Sequence, residues 1–478
     1  MTCLNSFVIL DMISARNRRG TIRILYGGFE LKKTLVPILI VLGLLAGSLS
    51  TIVLALRSGS VSPDPWEGVP LPKIKSQKWA DWAGKDASAV DFSGLGALLA
   101  TVTFDGATKW PGSDMMPKEV TPEEILGQGR YLGLGLRGLH EKGITGEGVS
   151  VAIIDKPLSP SHEAFRDNIT YIDVNPEMSK EFPSDSHGAA CAGILAGKDG
   201  VAPGARLYYF AVPDDGQPYL RCIEALEKLM ELQEELPEEN KIRVLSVSLG
   251  LDLQAVKDNT GGAADWLEAI SRAKKAGIIV VYPGMSGLQY TGAGCLPGKD
   301  RDDPNQYDLW SWAAVKAEIV AQLDAAKANT WHKARQELIR LLTEDPSLDP
   351  LKADAIEAFI YLISLYRGST VYKEWKEAMA DTLPEALAVP ADFLTVPSLT
   401  SDDAYAYLGA GGTNWSTPYL AGLMALGLQV RPDATAEDLY GALKETATTV
   451  RVTVGGPSGR QSTMKLVNPP AFIDRLAR

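Results

Sequence analysis

Val149-Ser150-Val151-Ala152-Ile153-Ile154-Asp155 constrains this chain more than any other stretch. It is a near-continuous apolar run that ends on a carboxylate. A strand buried on both faces has no polar side to present, so it loses the alternation of a half-exposed sheet. Such strands belong to parallel sheets, and open α/β sheets carry their functional residues at the strands' carboxyl ends. The expected architecture is α/β: a doubly wound, mainly parallel sheet flanked by helices, with Asp155 at its functional edge.

Five further blocks follow in order. Ser186-His187-Gly188-Ala189-Ala190-Cys191-Ala192-Gly193 places His187 187 − 155 = 32 residues after Asp155, about one βαβ excursion. Then come Gly200-Val201-Ala202-Pro203-Gly204-Ala205-Arg206-Leu207, Leu245-Ser246-Val247-Ser248-Leu249-Gly250, and Gly277-Ile278-Ile279-Val280-Val281-Tyr282-Pro283-Gly284-Met285-Ser286-Gly287. The last is Gly411-Gly412-Thr413-Asn414-Trp415-Ser416-Thr417-Pro418. Together they resemble the subtilase (subtilisin-like serine peptidase) family over roughly residues 144–449. That family shows a strand carrying the triad Asp, an H-G-T-H-V-A-G helix, a G-V-A-P-x-A-x-L segment, an S-L-G cleft segment, an A-G-N-x-G strand end and a G-T-S-M-A-S-P loop. The resemblance implies a serine endopeptidase fold, with Asp155 and His187 as orienter and base and Ser248, Leu249 and Gly250 lining the substrate cleft. Structural calcium accompanies many family members, but no Asp-rich loop here can be assigned to it.

The departures bear on activity. Asn414 stands where the family has its nucleophilic serine, and a carboxamide has no hydroxyl with which to form an acyl-enzyme. Met285 stands at the oxyanion Asn, and a thioether donates no hydrogen bond. Loss of one such donor costs ~10²–10³ in rate. Lys156-Pro157 follows Asp155 where the family has Thr or Ser and then Gly, and Ala190 replaces its second His. Ser416 is no obvious substitute, because two residues along a helix rotate a side chain by ~200°.

Composition narrows the partners. A formal net charge of −12 and a pI near 5.0 leave no basic footprint for nucleic acid. The four cysteines, Cys3, Cys191, Cys222 and Cys295, show neither a disulfide framework nor zinc-ligand spacing. No metal centre or cofactor is expected, and Cys191 reads as a small core residue.

Residues 34–56 are apolar or small throughout, and at 1.5 Å per residue reach ~34 Å, enough to cross a bilayer core. Arg16, Arg18, Arg19, Arg23, Lys32 and Lys33 precede them, and only Arg57 follows closely. The positive-inside rule then gives a single-pass protein of the cell membrane, with residues 1–33 a cytoplasmic tail and the rest extracytoplasmic. A cleaved signal peptide leaving at Ala46-Gly47-Ser48 is the other reading.

Residues 57–125, punctuated by proline and tryptophan, form a stalk or wrapping segment. The subtilase-like domain occupies 126–312 and 382–478. Between its parts, 313–381 carry apolar residues at three- and four-residue spacing (Ala355, Phe359, Ile363), a helical insertion. The leading expectation is a pseudoprotease that binds peptide or protein. An active endopeptidase with an altered site and an assembly subunit working through the insertion stand beside it.

Overall fold

The computed structural model describes residues 25–26, 29–30, 82–89, 92–93, 99, 102–118, 120–181, 186–249, 262–283, 288–308, 386–409, 412–454 and 460–478. The chain forms two units, Met1–Pro70 and Leu71–Arg478. In the first, β1 (Leu25–Tyr26) and β2 (Phe29–Glu30) pair antiparallel. The span 34–56 and the insertion 313–381 lie outside the described residues. Among those described, no helix is long and apolar enough to cross a membrane.

The second unit includes β3 (Phe104–Asp105) and α1 (Pro122–Gly129). Helix α1 starts at a capping box: Thr121 Oγ1 accepts from Glu124 N–H, and the Glu124 carboxylate accepts from Thr121 N–H. These two bonds satisfy donors that the first turn leaves open. The helix runs across residue 125, the end expected for the proline- and tryptophan-containing segment.

The central sheet is built from β4 (Ser150–Asp155), β5 (Ile169–Asp173), β6 (Arg206–Ala211), β7 (Ile242–Val247) and β8 (Ile279–Val281). Their order is β5-β6-β4-β7-β8, and every neighbouring pair is parallel. All six residues of β4 are buried, as its unbroken apolar sequence requires. From β4 the chain crosses to the edge strand β5, steps back inward to β6, and then passes β4 to build β7 and β8 on its other side, so the carboxyl end of β4 is a topological switch point. Asp155 occupies that end.

Helices α2 (Ser186–Ala196), α3 (Pro218–Glu235) and α4 (Ala263–Lys275) connect these strands. A second five-stranded sheet has the order β10-β9-β11-β15-β14. It contains β9 (Tyr290–Cys295), β10 (Tyr307–Asp308), β11 (Leu387–Asp392), β14 (Thr448–Val454) and β15 (Arg460–Leu466). Strands β9 and β11 are parallel partners (Leu387↔Tyr290), so the chain re-enters the described structure beside β9.

Strands β12 (Leu394–Pro397) and β13 (Tyr405–Leu408) form a hairpin that leads to α5 (Thr413–Val430). Helix α5 is buried from Ser416 to Leu428, the pattern of an interior helix that is apolar all round. It packs on α2 and reaches both sheets, while α3 packs on α4. Small residues make the α2 contacts possible. A Cβ at Gly188 would intrude on the Tyr209 hydroxyl and the Lys156 carbonyl, and one at Gly193 would strike Pro397.

The described residues between 82 and 121 pack onto this body. Strand β3 pairs antiparallel with β13 (Phe104↔Tyr407) and makes the hairpin three-stranded. Leu99, Val102, Phe104, Ile125, Phe393 and Tyr407 form a core separate from the main one. Trp110 stands edge-on to Phe104 and Phe92, with centroids 5.1 and 5.5 Å apart.

Candidate active site

The fold brings Asp155, His187 and Asn414 together. Asp155 is fully buried, and its Oδ1 accepts from the Lys156 backbone N–H at 2.8 Å. The same oxygen lies 2.7 Å from His187 Nδ1. The Lys156 side chain turns away to pair with Asp214 at 2.7 Å, and its carbonyl accepts from the Tyr209 hydroxyl at 2.5 Å. The residue that differs from the family pattern after Asp155 is thus held outside the pair.

His187 is the second residue of α2, with its side chain 18% exposed. On its far side, Asn414 Nδ2 lies 3.2 Å from Nε2. An amide nitrogen only donates, so in this orientation Nε2 accepts and Nδ1 carries the proton that goes to Asp155. That tautomer is the one a general base needs. The Trp415 ring lies against the imidazole, with centroids 4.9 Å apart and planes at 41°.

Other hydroxyls point elsewhere. Ser416 is fully buried and donates to the Val389 carbonyl of β11 at 3.5 Å. Thr417 Oγ1 donates to the Thr413 carbonyl at 2.7 Å and meets the Tyr290 hydroxyl at 2.7 Å. Ser248, just past β7, is buried, and its Oγ has no partner among the described residues. Leu249 packs against the main core. Gly250 and Met285 lie outside the described residues. His140 and His162 bond to backbone carbonyls of Val201 and Ala404, at 2.9 and 2.8 Å, and are structural.

Two residues at the site escaped the reading of the chain. One is Trp415. The other is Cys191, whose Sγ lies 3.9 Å from His187 Nδ1 and 3.9 Å from the Asn414 carbonyl oxygen. The available signal was its i, i+4 spacing from His187, which places two side chains on one helix face. Among the described residues, Asp155, His187 and Cys191 form the single group of three or more ligand-bearing side chains close enough to share a metal ion. Cys222 is also near Asp155, but burial, and secondarily that carboxylate, push its thiol well above the usual range, so it stays protonated.

Residues 146–283 match the model of the Subtilase family. This stretch contains the parallel sheet, Asp155 and His187, and ends before Asn414. The serine protease AprX of Bacillus subtilis (strain 168) is 25% identical over 313 residues, which are 63% of this chain and 61% of AprX. An Aeromonas extracellular serine protease from Aeromonas sobria is 30% identical over 99 residues, 18% of this chain and 16% of that protein. The chain thus spans under two thirds of the length of these relatives. Among solved structures, the PatG macrocyclase in complex with peptide superposes with a TM-score of 0.42 at 13% identity, covering 72% of this chain and 96% of that one. The A-subunit of an AB5 toxin from E. coli gives 0.41 at 16% identity, covering 73% and 99%. The chain has a parallel α/β fold of the subtilase type and is related to serine proteases.

Proposed function

We propose that this chain is a subtilase homologue that holds peptide or protein segments in its cleft without cleaving them, anchored to the cell membrane through residues 34–56. The observation that carries the reading is the carboxamide 3.2 Å from His187 Nε2. Asn414 gives the imidazole the hydrogen bond a serine hydroxyl would give, yet supplies no oxygen that can be deprotonated and acylated. Met285, which the family resemblance puts at the oxyanion donor's position, supports the same reading. A retained cleft edge at Ser248 and Leu249 suits an extended chain adding as a strand, where main-chain bonds supply affinity.

The test is capture against turnover. Purified protein should retain peptides from an unstructured library intact, and a fluorophosphonate probe should leave it unlabelled. Labelling at any serine, or release of cut peptides, would establish the second reading, an altered but active endopeptidase. The Asp155–His187 pair, kept in its base-competent tautomer, favours that reading over a purely structural one.

The anchor rests on the apolar span 34–56 and its basic flank. Protease added to intact cells should remove the folded part and spare the N-terminal tail. A mature N-terminus between Ala46 and Ser60 would instead mean a cleaved signal.

A further inference from the structure

Four donor atoms converge beside His187. Asp155 Oδ1 and Cys191 Sγ lie 2.7 and 3.9 Å from His187 Nδ1, and the Asn414 carbonyl oxygen lies 3.9 Å from the same sulfur. The donor atoms of Asp155, His187 and Cys191 all lie within 4.8 Å of one another. Asp155 Oδ2 is buried and has no hydrogen-bond donor among the described residues. The Asn414 carbonyl has an unusual position too. The residue four further on is Pro418, which has no N–H to close the helical bond.

We propose that these groups form a binding site for a divalent transition metal of the zinc type, with Asp155, His187 Nδ1 and Cys191 as ligands and the Asn414 carbonyl in reach as a fourth. The donor set is carboxylate, imidazole and thiolate, which suits zinc and disfavours calcium or magnesium, which take oxygen ligands. Tetrahedral zinc with ordinary bond lengths separates its nitrogen and sulfur ligands by about 3.5 Å and its nitrogen and oxygen ligands by about 3.4 Å. The sulfur must close by a few tenths of an ångström, and the Asp155–His187 pair must open by somewhat more.

Charge and protons balance. Cys191 gives up its thiol proton to solvent, and the imidazole proton moves from Nδ1 to Nε2, so the ring stays neutral. One carboxylate and one thiolate then neutralise the dication, which removes the main cost of placing charge in a buried site. The site also acts on the cleft. With metal on Nδ1, Nε2 becomes a donor and no longer accepts from Asn414 Nδ2. The amide must turn to present its oxygen, and His187 ceases to be a base. Besides the deprotonated thiol and the opened Asp155–His187 pair, this metal state differs from the peptide-holding state at one tautomer and one amide orientation, and its existence is independent of whether the cleft cleaves peptides.

Cobalt(II) titration of the full-length protein tests this directly. One equivalent should produce cobalt–thiolate charge-transfer absorption, which zinc displaces and calcium does not. Cys191→Ser should abolish the absorption. It should also weaken zinc, measured against a competing chelator, by at least the ~10–100-fold that an outer-shell partner is worth. His187→Gln, at the most exposed ligand, should weaken zinc while keeping a thiolate signal, and it decides the matter should the cysteine variant fail to fold. A parent protein without the absorption overturns the site. So does a folded Cys191→Ser or His187→Gln protein with unchanged zinc affinity.

Discussion

The two halves of the candidate site are built with equal care but equipped differently. Asp155 and His187 come from a fully buried strand end and a helix of small residues, and their side chains are those a base requires. Asn414 comes from the start of a long interior helix that delivers it to the imidazole just as well, yet its side chain cannot be a nucleophile. The backbone sets where a residue sits, and only the side chain sets what it does there. Asn414 even makes the hydrogen bond to the imidazole that a hydroxyl would make, 3.2 Å from Nε2. On the proposed reading, a site of this kind stays assembled without carrying out acyl transfer.

Restoring the deficient half should give the largest effect. Asn414→Ser alone is expected to show no hydrolysis or a trace, because on the proposed reading Met285 would still leave the oxyanion site short of a donor. Adding Met285→Asn should raise peptide turnover by ~10²–10³ over the single revertant. The two changes should be strongly non-additive, since such groups act as a unit. Robust hydrolysis by Asn414→Ser alone would show that Met285 is not at the oxyanion position, and the contrast between halves would narrow to one residue.

A smaller effect, away from both halves, should come from the wrapping segment. Phe104 is fully buried in the second core against Tyr407 and Trp110. Phe104→Ala should cost about 3–5 kcal/mol in denaturant unfolding. Peptide capture should survive at temperatures where the variant is folded. Loss of capture in a folded variant would mean that the wrapping segment supports the site.

The smallest effect should come from the remote helix Ala436–Thr446. Its N-cap Thr435 and Asp438 form a capping box. Thr435→Ala should cost about 1 kcal/mol at neutral pH. The Thr435 backbone N–H, and secondarily its hydroxyl, hold the Asp438 carboxyl below the usual range. A depressed carboxyl stabilises above its unfolded pKa, about 3.9, and loses that contribution as pH falls through its folded value. Melting curves of parent and Asp438→Asn should therefore differ at neutral pH and converge as pH drops below about 4. A gap that persists at low pH would show that the box does not depend on the carboxylate.

Much of this was legible in the chain itself. The apolar run to Asp155 announces a strand buried on both faces, and the Thr435 cap announces the late helix. Asp155, His187 and Asn414 lie in short local patterns, and each pattern fixes both element and position. What stayed hidden depends on packing between distant elements. Cys191 looks like core filler because its neighbours on α2 are, and only the crossing of α2 with α5 brings its sulfur to the Asn414 carbonyl. Trp415 looks apolar and buried, and its contact with the imidazole follows from the same crossing. The pairing of β3 with β13 has no local signature, because neither two residues nor four specify a partner at that distance.

That pairing has a consequence for how the protein comes into being. Phe104 and Tyr407 are 407 − 104 = 303 residues apart in the chain. At ~5–20 residues per second, a ribosome needs about 15–60 s to travel between them. Throughout that interval the early aromatic residues have been made and their partner strand has not. A segment translated early therefore waits for its partner strand, and it can close onto the hairpin only once the chain has been made at least as far as Tyr407.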